Sequence, residues 1–478
     1  MNKPIRYGAI FSLVLVVILL ANLTVIQNFR EKQYAENPHN ARMIYELKQT
    51  PRGQIIAGNT VLARSDADGD GFYQRSYPTD SVQFSQIVGY ISDQYGTSGI
   101  EASYNNDLAG RSAAVNANRL FKGLSGDTPH GANVELTMDP ALQEKAYSLL
   151  NSSGYDGSIV ALRPSSGEVL AMAANPSYDN APLVNPATAA DTWKTLNNTP
   201  GNPLINGSTQ QTLPPGSIFK IITTAAGLNS GFDPSSTLTG QSAITLPATE
   251  TQLTNYEGTS CNGSSQVDLA TAFAYSCNTA FVQMGLQVGQ DKLKQYAKAF
   301  GVGDTYDLGI PMAGGSLGDL PDRAALGQTS IGQRDVTMSA LQAAVMAATV
   351  ANKGKRMEPH LVKRVTTADF SEVSKVNPKE VTQAVSPEQA DTITELMYGS
   401  ERHTTGYNGN SYASKTGTAE NGGPNPHVWY VAFDPAKDVA VAVMVKDGGG
   451  QGPTATGGKV SAPLGRAILD AAPKGGAS

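Results

Sequence analysis

Between Gly8 and Ile26 the chain runs through apolar residues, broken mainly by Ser12, Asn22 and Thr24. A helix rises about 1.5 Å per residue, so a run of this length spans the roughly 30 Å hydrocarbon core of a bilayer. No second run of comparable length follows. Everything after about residue 28 is therefore expected on one side of a membrane. Lys3 and Arg6 favour a cytoplasmic tail over residues 1–7, although Arg30 and Lys32 beyond the run blunt that charge bias. No small-x-small cleavage site with suitable flanks is present. The expectation is a retained single-pass anchor over 8–28 in the cell membrane, with the rest of the chain extracytoplasmic.

The sequence has 478 residues, too many for one ordinary domain. Charged residues make up 16% and the formal net charge is -6, with no long basic run. That argues against nucleic acid as a partner. Two cysteines, Cys261 and Cys277, are too few for a thiolate zinc cluster. Asp66, Asp68 and Asp70 before Gly71 imitate the start of a calcium loop, but Tyr77 stands where a bidentate Glu is needed. An exposed acidic turn is the reading, and no metal or cofactor is expected.

A first soluble region covers 29–145. Residues 31–50 read as a short helix or linker. Ile55-Ile56 and Val61–Ala63 read as a hairpin, Phe84–Tyr90 as a strand and Asn105–Leu108 as a short helix. Val134–Met138 alternates like a half-buried strand, and Asp139-Pro140 opens a helix through Leu149. No catalytic constellation stands out, so a non-catalytic spacer or docking module is expected.

A second region covers 146–472, with a disordered tail expected over 473–478. It opens with a hairpin of strands over 157–162 and 168–173, then a loop-rich stretch over 175–211. Helices are expected at 217–228, 267–275, 279–287, 290–300, 341–351 and 387–397. Strands return at 411–415, 427–433 and 439–445; 448–457 reads as flexible, and 462–469 as a closing helix. This is a mostly antiparallel sheet with a helical subdomain inserted after its first two strands.

Three short clusters lie in this region. Pro214-Pro215-Gly216 turns the chain into Ser217-x-x-Lys220, which puts the serine and lysine one helical turn apart. A lysine shielded from water beside a hydroxyl acts as a base. Such tetrads also arise by accident in solvated helix turns, so the other two clusters decide. Ser276-x-Asn278 sits between two helical stretches, and Lys415-Thr416-Gly417 lies on a strand. The three together, in this order, form a set used for serine acyl transfer.

On these residues the chain resembles the class B, monofunctional penicillin-binding proteins, and within them the actinobacterial A type. Arg52-Gly53-x-Ile55, Gly99-Ile100-Glu101 with Tyr104 and Leu108, and Asn202-Pro203-Leu204 fit that family. So do Gly332-Gln333, Leu341-Gln342, Asn352-x-Gly354, Thr418-Ala419, and His427-x-Trp429 with Phe433. Asn206-Gly207-Ser208 stands where many relatives carry Asn-Arg-Ala, and Arg334 where Gly often follows.

The resemblance implies an α/β (α+β) transpeptidase domain of the penicillin-binding, serine β-lactamase-like fold, an elongated N-terminal pedestal domain and one transmembrane helix. It implies Ser217 as nucleophile and Lys220 as its base, with Ser276 passing a proton to the leaving amine. Asn278 would hold a substrate carbonyl and accept from Lys220. Lys415 and Thr416 would meet the substrate carboxylate, Gly417 would leave the strand face open, and the N–H groups of Thr418 and Ser217 would form the oxyanion hole.

Trp429 reads as core packing, and His427 is left without an assigned role. Two extracytoplasmic cysteines favour a Cys261–Cys277 disulfide, with buried free thiols as the alternative. The implied activity is peptidoglycan D,D-transpeptidation, blocked by β-lactams as covalent inhibitors. Its partners would be stem peptides, nascent glycan strands, a separate glycosyltransferase, and division or elongation membrane proteins. The same fold also serves D,D-carboxypeptidases and β-lactamases. A β-lactam sensor or inactive division scaffold is the alternative of another class.

Overall fold

The computed structural model describes residues 3–26, 48–79, 81–115 and 130–474. The short helix or linker expected over 31–50 lies almost wholly outside the described residues, as do residues 475–478 of the tail expected over 473–478.

In chain order the elements that matter begin with α1 (Lys3–Val25), β1 (Ile55–Ala57), β2 (Thr60–Ala67), β3 (Tyr73–Ser76) and β4 (Asn133–Leu136). Next come α2 (Pro140–Ser152), β5 (Gly157–Leu162), β6 (Val169–Asn175), α3 (Lys220–Leu228), α4 (Leu269–Ala274) and α5 (Asn278–Val288). The rest are α6 (Ala340–Ala351), β7 (Val362–Thr366), β8 (Glu372–Lys375), α7 (Pro387–Arg402), β9 (Ala413–Ala419), β10 (His427–Asp434), β11 (Val439–Val445) and α8 (Gly457–Ala471).

Helix α1 has 23 residues, none of them buried, and is the one described helix long and apolar enough to cross a membrane. Its apolar side chains pack on nothing among the described residues.

The region beyond residue 145 is built on a five-stranded sheet in the order β9-β10-β11-β5-β6, antiparallel throughout. Both faces are covered, which is why β10 and β11 read as unbroken apolar runs. Their side chains nevertheless alternate. Val428, Tyr430 and Ala432 pack with α2 and α8, while Trp429, Val431 and Phe433 join the core of the helical subdomain. The centre of that core is α6, buried along nearly its whole length and started by a Ser339–Gln342 capping box. Asp139 caps α2 by accepting from the N–H of Leu142.

The second sheet, six-stranded, runs β8-β7-β4-β1-β2-β3. Only β1 and β4 pair in parallel among its ladders. Its last two strands come from inside the region expected as a separate unit over 146–472. The boundary near residue 145 thus divides the sequence but not the sheet. Glu101, fully buried, joins this region together by pairing with Arg52 and Arg75. Burial pushes its carboxyl up, but the two guanidiniums outweigh that and hold it below its ordinary value.

Four local expectations change. Phe84–Tyr90 is not a strand: a 3-10 turn over Ser81–Gln83 leads into a short helix over Ser85–Val88. Phe84, Ile87 and Val88, all buried in one core cluster, are spaced by three and four rather than two. The 267–275 helix begins only at Leu269, because Val267 pairs with Leu238 in a strand and Asp268 caps the helix. The 175–211 stretch contains the helix Ala189–Asn198, whose Trp193 stacks on Tyr95. The closing helix α8 starts at Gly457, within the stretch expected to be flexible.

Candidate active site

Ser217 lies in a 3-10 turn, Gly216–Phe219, that runs directly into α3. The turn presses against β9. Gly216 has φ 53°, and a Cβ there would stand 2.6 Å from the carbonyl oxygen of Thr418. A Cβ at Gly417 would stand 2.7 Å from the carbonyl oxygen of Pro215. Gly417 therefore admits the close approach of the serine turn. The indole of Trp429 donates to the carbonyl of Pro214 at 2.9 Å and ties the same turn to β10. Trp429 is fully buried, as core packing requires, but it also holds the turn that carries the candidate nucleophile.

Ser276 and Asn278 come from the junction of α4 and α5. The N–H of Cys277 donates to Ala272 at 2.9 Å and that of Ser276 to Phe273 at 3.1 Å. This is a Schellman ending of α4, with Ser276 at φ 58° in the left-handed position that glycine usually takes. Cys277 caps α5 and is bonded to Cys261, their Cα atoms 5.6 Å apart. The disulfide thus ties the Ser276–Asn278 junction to the turn at residue 261.

The two lysines converge on Ser276. Lys220 Nζ donates to the Ser276 carbonyl at 2.7 Å, to Asn278 Oδ1 at 2.7 Å, and lies 3.2 Å from Ser276 Oγ. Lys415 Nζ lies 2.8 Å from Ser276 Oγ and 3.1 Å from the carbonyl of Thr416. Both side chains are fully buried, and neither has a carboxylate partner among the described residues. Phe281 lies under Lys220 Nζ at 5.4 Å and Phe273 under Lys415 Nζ at 5.7 Å, both within cation–π range.

Burial, and then the charge of Lys415, push the Lys220 amine well below its ordinary value. Burial alone brings Lys415 down to about 7. Two desolvated cations cannot easily share one cavity, so the pair favours one neutral amine near neutral pH.

The fold thus brings together Lys220, Ser276, Asn278 and Lys415, with Ser217 one turn before Lys220 and Thr416, Gly417 and Thr418 along the adjoining strand. Asn278 also donates its amide to the Thr254 carbonyl at 2.9 Å. Neither Thr254, the two phenylalanines nor the bond from Trp429 was legible in the motifs. Each contact joins segments far apart in sequence, and Trp429 comes opposite Gly417 only through the strand register of the folded sheet. His427 stands apart from the cluster. It pairs with Ala419 across the strands, and its Nδ1 accepts from the N–H of Asp447 at 3.2 Å. Burial lowers its pKa.

Comparison with known proteins places this geometry. The model of the penicillin-binding protein transpeptidase domain matches residues 157–470, and that of the penicillin-binding protein A dimerisation domain matches residues 52–134. The chain is 42% identical over 490 aligned positions to the peptidoglycan D,D-transpeptidase PbpA of Mycolicibacterium smegmatis, with 99% of each chain covered. It is 40% identical to PbpA of Mycobacterium tuberculosis, over 99% of this chain and 100% of that one.

Among solved structures it resembles M. tuberculosis penicillin-binding protein A in its ceftriaxone acyl-enzyme complex. The TM-score is 0.85 at 39% identity, covering 90% of this chain and 99% of that one. For the penicillin G acyl-enzyme complex the TM-score is 0.83 at 40% identity, covering 88% and 99%. By motif, geometry and likeness along nearly its whole length, the chain belongs to the class B penicillin-binding proteins of the PbpA type.

Proposed function

We propose that the chain is a peptidoglycan D,D-transpeptidase acting through a serine ester on Ser217. The observation that carries this reading is the setting of Lys220: a fully buried nitrogen one helical turn from Ser217, held by two carbonyl-type oxygens. A neutral amine has two hydrogens. The Ser276 carbonyl and Asn278 Oδ1 take both, which leaves the lone pair to accept from a hydroxyl. Lys220 is thereby primed as a base rather than as a salt-bridge partner.

The steps follow from that arrangement. Ser217 Oγ attacks the carbonyl of the penultimate D-Ala of a stem peptide, and its proton passes to Lys220 Nζ. The N–H groups of Ser217 and Thr418 receive the oxyanion. The C–N bond breaks, and the departing D-Ala amine takes a proton from Ser276 Oγ, which Lys220 resupplies. An amine of a second stem then attacks the ester; the proton transfers run in reverse, and a cross-link forms.

Lys415, donating to Ser276 Oγ, keeps that hydroxyl oriented. With Thr416 it offers the terminal carboxylate its counter-charge. Strand β9 is a sheet edge, so an extended stem can pair along it. A β-lactam enters the same path, but its leaving group stays tethered and the ester persists.

Helix α1 is the single-pass anchor in this reading, with the catalytic region extracytoplasmic and the glycan polymerised by a separate glycosyltransferase alongside division or elongation membrane proteins. The test is intact-mass and peptide-mapping analysis of the full chain in detergent, incubated with benzylpenicillin. One stable adduct on Ser217, absent from Ser217→Ala, is expected. D-amino acid exchange on a thioester stem mimic is expected as well. No adduct would overturn the enzyme reading, and an adduct lost within seconds would turn it toward a β-lactamase.

A further inference from the structure

Behind the strand that carries Lys415 lies a buried carboxylate that none of the steps above uses. Glu401, at the end of α7, is 1% exposed and all its acceptor positions are filled. Its Oε1 accepts from Arg466 Nε at 2.7 Å and from Asn410 Nδ2 at 3.0 Å. Its Oε2 accepts from Tyr430 OH at 3.0 Å and from the Ser414 hydroxyl. One side chain therefore joins α7, β9, β10, α8 and the loop before β9. Arg466 is held in turn by the Thr405 carbonyl at 2.8 Å.

Ser414 is the residue before Lys415, so their side chains leave β9 on opposite faces. On one face Lys415 Nζ reaches Ser276 Oγ at 2.8 Å; on the other Ser414 is bound to Glu401. Strand β9 is the sheet edge and has one neighbour, β10. The strand's height above the sheet is therefore set by what grips it from its two faces. Within the proposed transpeptidase reading, we propose that Glu401 is a positioning residue for Lys415, acting through Ser414 to hold the lysine nitrogen within reach of Ser276. The action is mechanical: Glu401 touches Ser414 and not Lys415, whose lowered pKa comes from burial.

The test compares two variants of the full chain. Ser414→Ala and Tyr430→Phe each remove one donor from the same carboxylate oxygen, so each loosens the network to a similar degree. Only Ser414 lies on β9. The readouts are thermal unfolding and the second-order rate of acylation of Ser217 by benzylpenicillin as a function of pH. The expected result is a similar loss of melting temperature in both variants. Ser414→Ala should acylate about tenfold more slowly, as expected when one oriented hydrogen bond of about 1.4 kcal/mol is lost. Its Lys415-dependent limb of the pH profile should also move. Tyr430→Phe should keep the wild-type rate and profile.

Equal loss of rate in both variants, or an unchanged rate and profile in Ser414→Ala, would overturn the inference. Failure of the wild-type chain to acylate at all would instead overturn the transpeptidase reading beneath it. Should Ser414→Ala not fold, Ser414→Cys, with a weaker donor of similar size, gives the same comparison.

Discussion

Ser276 is a catalytic candidate placed where the backbone prefers glycine, and this sets stability against chemistry in a measurable way. Its φ of 58° closes the Schellman ending of α4. A residue with a Cβ in that conformation costs about 1–2 kcal/mol that glycine does not. Ser276→Ala and Ser276→Gly both remove the hydroxyl and its contacts with Lys415 at 2.8 Å and Lys220 at 3.2 Å. Those losses cancel when the two variants are compared with each other, leaving the backbone difference.

The glycine variant should therefore be more stable than the alanine variant by about 1 kcal/mol, despite the larger entropy glycine loses on folding. In an ordinary right-handed helix interior the order would reverse, with glycine weaker by about 0.5–1 kcal/mol. For a region of this size the expected gap in melting temperature is on the order of 2 °C. It would be read by intrinsic fluorescence at a fixed scan rate. Both variants should acylate with benzylpenicillin about a hundredfold more slowly, as expected for loss of a proton-transferring group. An alanine variant as stable as the glycine variant would refute the strain argument. A wild-type acylation rate in either would refute the role of the hydroxyl.

Three further outcomes follow. Acylation should be bell-shaped in pH: the acid limb reports protonation of Lys220, and the alkaline limb, near 7 in the free enzyme, reports loss of charge on Lys415. Both lysines have folded pKa values below their unfolded ones, so the unfolded chain binds more protons between about 7 and 10. Stability should rise with pH across that window, by at most about 1.4 kcal/mol per unit for each lysine. Trp429→Phe should leave the Pro214 carbonyl without its donor, cost about 1–3 kcal/mol in denaturant melts, and slow acylation by displacing the Ser217 turn. The pair Cys261→Ala with Cys277→Ala opens a loop with a sequence separation of 16 and should lower stability by about 3 kcal/mol, seen as an earlier denaturant midpoint.

What the sequence alone made legible was local or periodic. The hairpin over 157–173 and the strands over 427–445 carry long β-rich apolar runs. Ser217 and Lys220 meet because a helix brings residues three apart onto one face. Ser276, Asn278 and Lys415 were found by pattern, and the fold brings Lys220 Nζ and Lys415 Nζ to the same hydroxyl. Phe84–Tyr90 was misread because so short an apolar run fits two periods until its packing partners are known. The bond from Trp429 to Pro214 spans 215 residues and that from Gly216 to Gly332 joins two turns distant in sequence. No local signal encodes such contacts. Nor does any composition shift mark that residues 362–375 return to the first sheet, and the short, largely polar β7 and β8 were not among the expected strands.

That return has a consequence for how the chain is made. Strand β4 pairs on one side with β1 and on the other with β7, whose residues lie more than two hundred positions later. During synthesis the chain emerges N-terminus first, so β1 to β4 exist long before the strand that completes their sheet. Until residue 366 has emerged, one edge of β4 stays open to any other extended segment. The first sheet is therefore finished only after most of the helical subdomain has been made. A release of the polypeptide between residues 145 and 362 would yield a fragment with an unfilled sheet edge rather than a free-standing module.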